Sequence, residues 1–245
     1  RARWAAIRES GPPAGTTVDQ LVPELEVMLA SPDPERRDRI AYELLAAWLL
    51  ADATAAAAPG TAIDDASAAA LRDRLVARTA APIATPPAAS DAVFGRSFAA
   101  LALSVVAARE VKRDVWTAAD LDAQVAAAAA YAARETDLRG YTGAETGWAH
   151  AAAHTADWLK FLARHPRLTA AHARTILDAL TALAARRHGA RFAHGEDERM
   201  AAAARAVLRR GVAGGRRGQR RGGVRAQEAP EGLPAVDGQE QHAGA

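Results

Sequence analysis

Apolar residues recur along this chain at three- and four-residue intervals, the period of an α-helix, and no stretch alternates with period two for long enough to make a strand. Trp4 and Ile7 share a face over Ala2 to Glu9, and Ser10 to Gly15 breaks that pattern with two prolines and two glycines. Leu21, Leu25, Met28 and Leu29 form one stripe, with Pro23 expected to confine the regular helix to the residues after it. Asp33 can cap the next helix and Pro34 fits its first position, where no N–H is needed. That helix is predicted to run to about Leu50, burying Ile40, Leu44, Ala47 and Trp48, while Glu35, Arg36, Arg37 and Asp38 load its first turns with charge. Ile63 to Ala80 follows a linker, with Leu71 and Leu75 inward. After a proline-rich loop to Ser90, Phe94, Phe98, Leu101 and Val105 mark a helix capped by Ser90 or Asp91 and running through Glu110. Thr117 with Asp120 opens another, in the manner of a capping box, to about Glu135. Further helices are predicted from about Glu145 to Arg164, from Thr169 to His188 on Ile176, Leu180 and Leu183, and from about Glu196 to Arg210.

Elements of this kind pair as antiparallel helical hairpins. Their first helices start near Pro34, Asp91 and Glu145 and their second near Ile63, Thr117 and Thr169, a step of roughly fifty-odd residues. The expected architecture is all-α: eight to nine helices over residues 1–210, stacked as a HEAT/armadillo-like α-α superhelix, with a closed helical bundle as the alternative.

Composition narrows this little. Half of the 245 residues are hydrophobic but aromatics are only 5%, and alanine supplies most of the apolar half, so the sparse Leu, Ile, Phe and Trp residues must carry most of the hydrophobic stabilisation. The net charge of +2 argues against a strongly basic nucleic-acid-binding surface, and the absence of cysteine excludes disulfides, thiolate metal sites and thiol catalysis. The longest apolar run, Phe98 to Ala108, lies between Arg96 and Arg109 and is short of the ~20 residues that span a bilayer, so no membrane contact is expected. No secretory signal is visible and a cytoplasmic location is the expectation, although a first residue of Arg1 leaves a missing N-terminal portion open.

Chemistry concentrates in Glu135 to Asp157, ETDLRGYTGAETGWAHAAAHTAD. On a helix starting near Glu145, His150, His154 and Asp157 would fall on one strip. Three readings follow. The histidines can hydrogen-bond within a polar network in which Asp157 pairs with an arginine. They can hold a divalent ion such as Zn²⁺ together with Asp157, with Glu135 or Asp137 as general base of a hydrolase, although the glutamate that follows the first histidine in zinc proteases is alanine here. Or Arg139, Gly140, Gly143, Gly147 and the helix start can cradle an anion. The polar network is the expectation, with no cofactor.

VFGRSFAAL at Val93 to Leu101, ETDLRGY at Glu135 to Tyr141, GWAHAAAHTAD at Gly147 to Asp157 and GEDERM at Gly195 to Met200 resemble the bacterial family catalogued as domain of unknown function 2785, and SPDPERRD at Ser31 to Asp38 is similar to that family's N-terminal signature. The resemblance spans about Leu21 to Arg210. It implies a soluble, wholly helical bacterial protein and no activity. It also draws attention to Arg96 and Ser97, which point away from the Phe94, Phe98, Leu101 stripe, with Arg96 expected to pair with Asp137 or Asp157. Asp38, Arg139, Glu196, Asp197 and Arg199 are expected to form either a shared groove or salt bridges. The functional expectation is a module binding a protein or peptide through Arg96, Ser97, Glu135, Asp137, Arg139, Tyr141, Trp148, His150, His154 and Asp157, with a metal-dependent hydrolase as the rival.

From Gly211 to Ala245 the periodicity stops, and glycine, arginine, glutamine and proline predict disorder. RRGQRRGGVR, residues 216–225, can contact nucleic acid through phosphates. Out-of-frame translation of GC-rich DNA yields the same kind of text, and that is the reading preferred here.

Overall fold

The computed structural model describes residues 2–51, 60–83, 90–186 and 192–216, so the expectations for the tail beyond residue 216 lie outside the described residues. Among the described residues every regular element is helical. These are α1 (Ala2–Ser10), α2 (Val18–Met28), a π-helical stretch (Glu35–Tyr42) continuing into α3 (Glu43–Leu50), α4 (Asp65–Thr79), α5 (Ala92–Arg113), α6 (Ala118–Arg134), α7 (Ala151–Arg164), α8 (Ala170–Ala185) and α9 (Glu196–Arg216). The only β pairing among them is one isolated antiparallel bridge, Tyr141 with Trp148.

Two helix starts follow from capping side chains read in the sequence. Asp33 accepts from the Glu35 amide, and Thr117 and Asp120 form a reciprocal box in which the Asp120 amide donates to Thr117 Oγ1 and the Thr117 amide to Asp120 Oδ2. Other details differ. Pro23 lies inside α2, whose start is set by the Thr17 amide donating to Gln20. Neither Ser90 nor Asp91 caps α5 through its side chain. Ala47 is exposed, because α3 turns Leu44, Leu45, Trp48 and Leu49 inward. The last helix passes Arg210 and continues to Arg216.

α5 is the centre of the fold. It packs against α3, α4 and α7, and every residue from Val93 to Glu110 is buried. By length and composition it could cross a bilayer, but 94% of its apolar stretch is covered by the rest of the fold. α7 lies between α5 and α9 and also touches α6 and α8; α6 packs on α8. One core cluster runs from Trp4 to Val207.

Arginines fasten these layers at a regular chain separation. Arg134, ending α6, donates to the carbonyls of Thr79 and Ala81 at the end of α4, 55 and 53 residues back. Arg186, just past α8, donates to those of Ala133 and Glu135 at the end of α6, 53 and 51 residues back. Arg167, before α8, reaches the Trp116 carbonyl before α6, and Arg210 those of His165 and Pro166. Side-chain pairs keep a similar interval: Arg72 with Asp120 spans 48 residues and His172 with Asp122 spans 50. Helix ends leave unpaired carbonyls, and a guanidinium there satisfies two acceptors while complementing the negative end of the helix dipole.

Candidate functional site

Glu135, at the end of α6, anchors the region from below. Its buried carboxylate takes a fork from Arg96 of α5, Nε to Oε2 at 2.6 Å and Nη2 to Oε1 at 3.1 Å, and Oε1 also accepts the amides of Thr136 and Asp137. The expected pairing of Arg96 with Asp137 or Asp157 is therefore corrected. Glu135 reaches Arg96 first because it leaves the helix in extended backbone beside α5. Asp137 instead holds Arg139 through Nε and Nη2, and Arg139 reaches across to the Ser90 carbonyl.

Beyond Arg139 the chain makes a tight hairpin. The Thr142 amide donates to Gly147 O, the Gly147 amide to Gly143 O, and the Ala149 and His150 amides to Gly140 O and Arg139 O. Gly143 and Gly147 take φ of 124° and 68°, which other residues adopt only with strain. The hairpin delays the helix: α7 begins at Ala151, not near Glu145, and His150 sits before it in the left-handed region, φ 47°. His150 and His154 thus do not share a helical strip. Their rings meet edge to face with centroids 6.0 Å apart.

His154 is held by Ser97. The Ser97 hydroxyl lies within hydrogen-bond reach of the Ala149 carbonyl and 2.7 Å from His154 Nδ1. A hydroxyl has one proton and a carbonyl can only accept, so Ser97 donates to Ala149 and His154 donates from Nδ1 to Ser97. Burial pushes His154 well below the ordinary histidine value, with His150, Arg199 and Arg37 adding to the effect. Burial, then Arg199 and His194, push His150 down to about 3. Both imidazoles are neutral at pH 7. Asp157 is buried with both oxygens engaged, Oδ1 by Lys160 and Oδ2 by Arg199 of α9, and Glu196 accepts the His194 amide and approaches His150 Nε2 at 3.6 Å. Among the described residues no three His, Asp or Glu side chains converge as metal ligands, and His150, His154 and Asp157 do not. Of the five further positions weighed for a groove or salt bridges, Asp38, Arg139 and Arg199 each pair with a neighbour.

Arg37 is a residue of this region that the sequence did not single out. It belongs to the charged first turns of its helix, yet it and Asp38 are buried, Arg37 completely. Its guanidinium lies 4.3 Å from the Phe94 ring and 4.6 Å from that of Phe98. Nη1 donates to the carbonyls of Ser31 and Pro32, Nη2 to Thr146 O in the hairpin, and Nε stands 2.7 Å from Asp38. Burial lowers the Arg37 pKa and raises that of Asp38 to about 6, each opposed by the other's charge. A signal was present: Arg37 stands three residues before Ile40 and so continues the Ile40, Leu44, Trp48 face.

What reaches the surface is a small part of the expected face. Arg96, Ser97, Glu135, His150, His154 and Asp157 are buried, and Asp137, Arg139 and Trp148 are partly so, whereas Tyr141 is 48% exposed. The Tyr141 and Trp148 rings lie 4.8 Å apart, and Trp148 also contacts His150 at 4.4 Å and the exposed His194 at 5.0 Å. His194 was not foreseen, since nothing in its spacing ties it to the hairpin. Gly140 makes room for it: a Cβ there would lie 2.6 Å from the His194 ring and 2.8 Å from Glu196 Oε1.

Residues 87–214 match the family described as Protein of unknown function (DUF2785). The chain belongs to that family. The DUF2785 match takes in the hairpin, both histidines and most of α9, and leaves Arg37 and the SPDPERRD stretch outside it. No curated protein and no solved structure matches the chain.

Proposed function

We propose that this chain is a helical-repeat binding module that presents the Tyr141–Trp148 hairpin to a protein or peptide. The observation that carries the reading is the contrast within one loop. Glu135, His150 and His154 are buried, while Tyr141 is exposed and lies against Trp148, which in turn touches His194. Tyrosine and tryptophan give much contact area for little lost side-chain freedom and dominate binding hot spots. What supports stacked hairpins, in the manner of an α-α superhelix, is the recurrence of arginine clamps from Arg134 and Arg186 to preceding helix ends at 51 to 55 residues.

The hydrolase alternative receives less support. Asp157 is committed to two cations, and the Ser97 to His154 bond runs in the sense opposite to that of a serine nucleophile and its base.

The test is selection of a displayed random-peptide library on the full chain, counter-selected on Tyr141→Ala. Enriched peptides should bind the native chain and lose at least about tenfold in affinity on Tyr141→Ala, roughly the 1–2 kcal/mol of an exposed aromatic anchor, with its melting temperature unchanged. Failure to recover any peptide that discriminates the two chains overturns the reading.

A further inference from the structure

We infer that Arg37 is a positioning residue for the Tyr141–Trp148 hairpin, locking it to the segment from Ser31 to Asp38. The inference rests on the binding reading above and adds what sets the shape of that surface. The bonds between hairpins described above span 42 to 57 residues, whereas Arg37 Nη2 to Thr146 O spans 109. It therefore ties the hairpin to a segment far outside the regular interval.

The fit is close from both sides. The guanidinium is bounded by the Phe94 and Phe98 rings of the central helix, donates from Nη1 to the Ser31 and Pro32 carbonyls and from Nη2 to Thr146 O and Asp38 Oδ2, and forms an ion pair with Asp38. Gly147, next to Thr146, completes the joint: a Cβ there would stand 3.3 Å from Arg37 Nη2 and 3.3 Å from Pro34 Cβ, so hairpin and segment touch backbone to side chain with no room between. The π-helical opening at Glu35–Tyr42 contains Arg37, and wide turns of this kind recur at functional sites. A planar fork is needed, because a lysine ammonium cannot reach Ser31, Pro32 and Thr146 together.

The experiment is ¹⁹F NMR of the full chain labelled with 5-fluorotryptophan, the Trp148 resonance being assigned by Trp148→Phe. In Arg37→Lys the Trp148 resonance should shift or broaden while that of Trp158, fully buried in α7, stays in place; an unmoved Trp148 resonance in folded Arg37→Lys overturns the inference. Should Arg37→Lys not fold, Gly147→Ala probes the joint from the other side. It should speed hydrogen exchange at the Arg36 and Arg37 amides, which bond to Asp33 O, and leave the α8 amides unchanged; unchanged exchange at Arg36 and Arg37 likewise overturns it. These readouts need no peptide. An empty peptide selection therefore sinks the binding reading alone, and a static Trp148 sinks the positioning role alone.

Discussion

Ser97 holds its oxygen 2.7 Å from Nδ1 of His154 and directs its proton to the carbonyl of Ala149, so a serine and a histidine in contact are wired as a structural clasp between α5 and the start of α7. The hydroxyl is also fully buried. A fluorophosphonate probe should leave Ser97 unmodified, and mass spectrometry showing the adduct there would refute the assignment of donors. Ser97→Ala strands two buried groups and should cost about 1–3 kcal/mol in urea unfolding.

The histidines are expected to stabilise the fold without an ion. His154→Ala leaves Ser97 with an unsatisfied lone pair and a cavity beside Phe98, whose ring is 4.9 Å from the imidazole, and should cost about 2–4 kcal/mol. His150→Ala should cost about 1–3 kcal/mol, whereas His150→Gly should cost less than His150→Ala, because glycine relieves the left-handed backbone at φ 47°. Neither chelator nor added Zn²⁺ should move the melting temperature of the native chain. A zinc-dependent rise that both alanine variants abolish would restore the metal reading.

Acid should weaken the fold. His150 at about 3 and His154 below its ordinary value each take up a proton on unfolding once the pH falls below about 6.5, so the stability they contribute is complete above about 6.5 and is lost as pH falls through their folded values. Asp38 acts oppositely. Raised to about 6, it binds its proton in the native state first, and its contribution is complete below the ordinary carboxylate value and lost as pH rises through 6. Two against one leaves these groups a net loss of stability as pH falls below about 6. Asp38→Asn should steepen that slope. Urea titrations across the range check it, and stability rising toward pH 4 in the native chain would contradict it.

Arg134 and Arg186 do the same work one hairpin apart, each bonding two carbonyls at the preceding helix end. Alanine at either should cost about 1 kcal/mol, discounted because both side chains are partly exposed, and the double variant should be additive within about 0.5 kcal/mol. Strong coupling between them in a double-mutant cycle would show that the two clamps are not independent.

Helical period made the existence of these elements readable, because apolar residues such as Phe94, Phe98 and Leu101 declare a face whatever surrounds them. The sequence was less informative where tertiary contact decided the outcome. Gly147 reads equally well as a helix-start residue or a turn, and the bridge from Tyr141 to Trp148, invisible in spacing, moved the helix start past His150. The sequence shows Glu135, His150 and His154 gathered in one stretch but not that their side chains are buried. A charged residue looks solvated in a sequence, whereas Arg37, Arg96 and Glu135 meet partners 109 and 39 residues away that make burial tolerable. Composition alone carries no sign of such pairing.

The arginine clamps recognise main chain. A carbonyl is the same acceptor whatever residue bears it, so Thr79, Ala81, Ala133 and Glu135 need share nothing to be gripped alike by Arg134 and Arg186. On the stacked-hairpin reading proposed above, neighbouring hairpins can then drift apart in sequence without losing their grip, provided the arginine and the helix end keep their interval. On that reading, kinship between hairpins would escape a comparison of residue identities and be found instead by measuring how far each arginine stands from the helix terminus behind it.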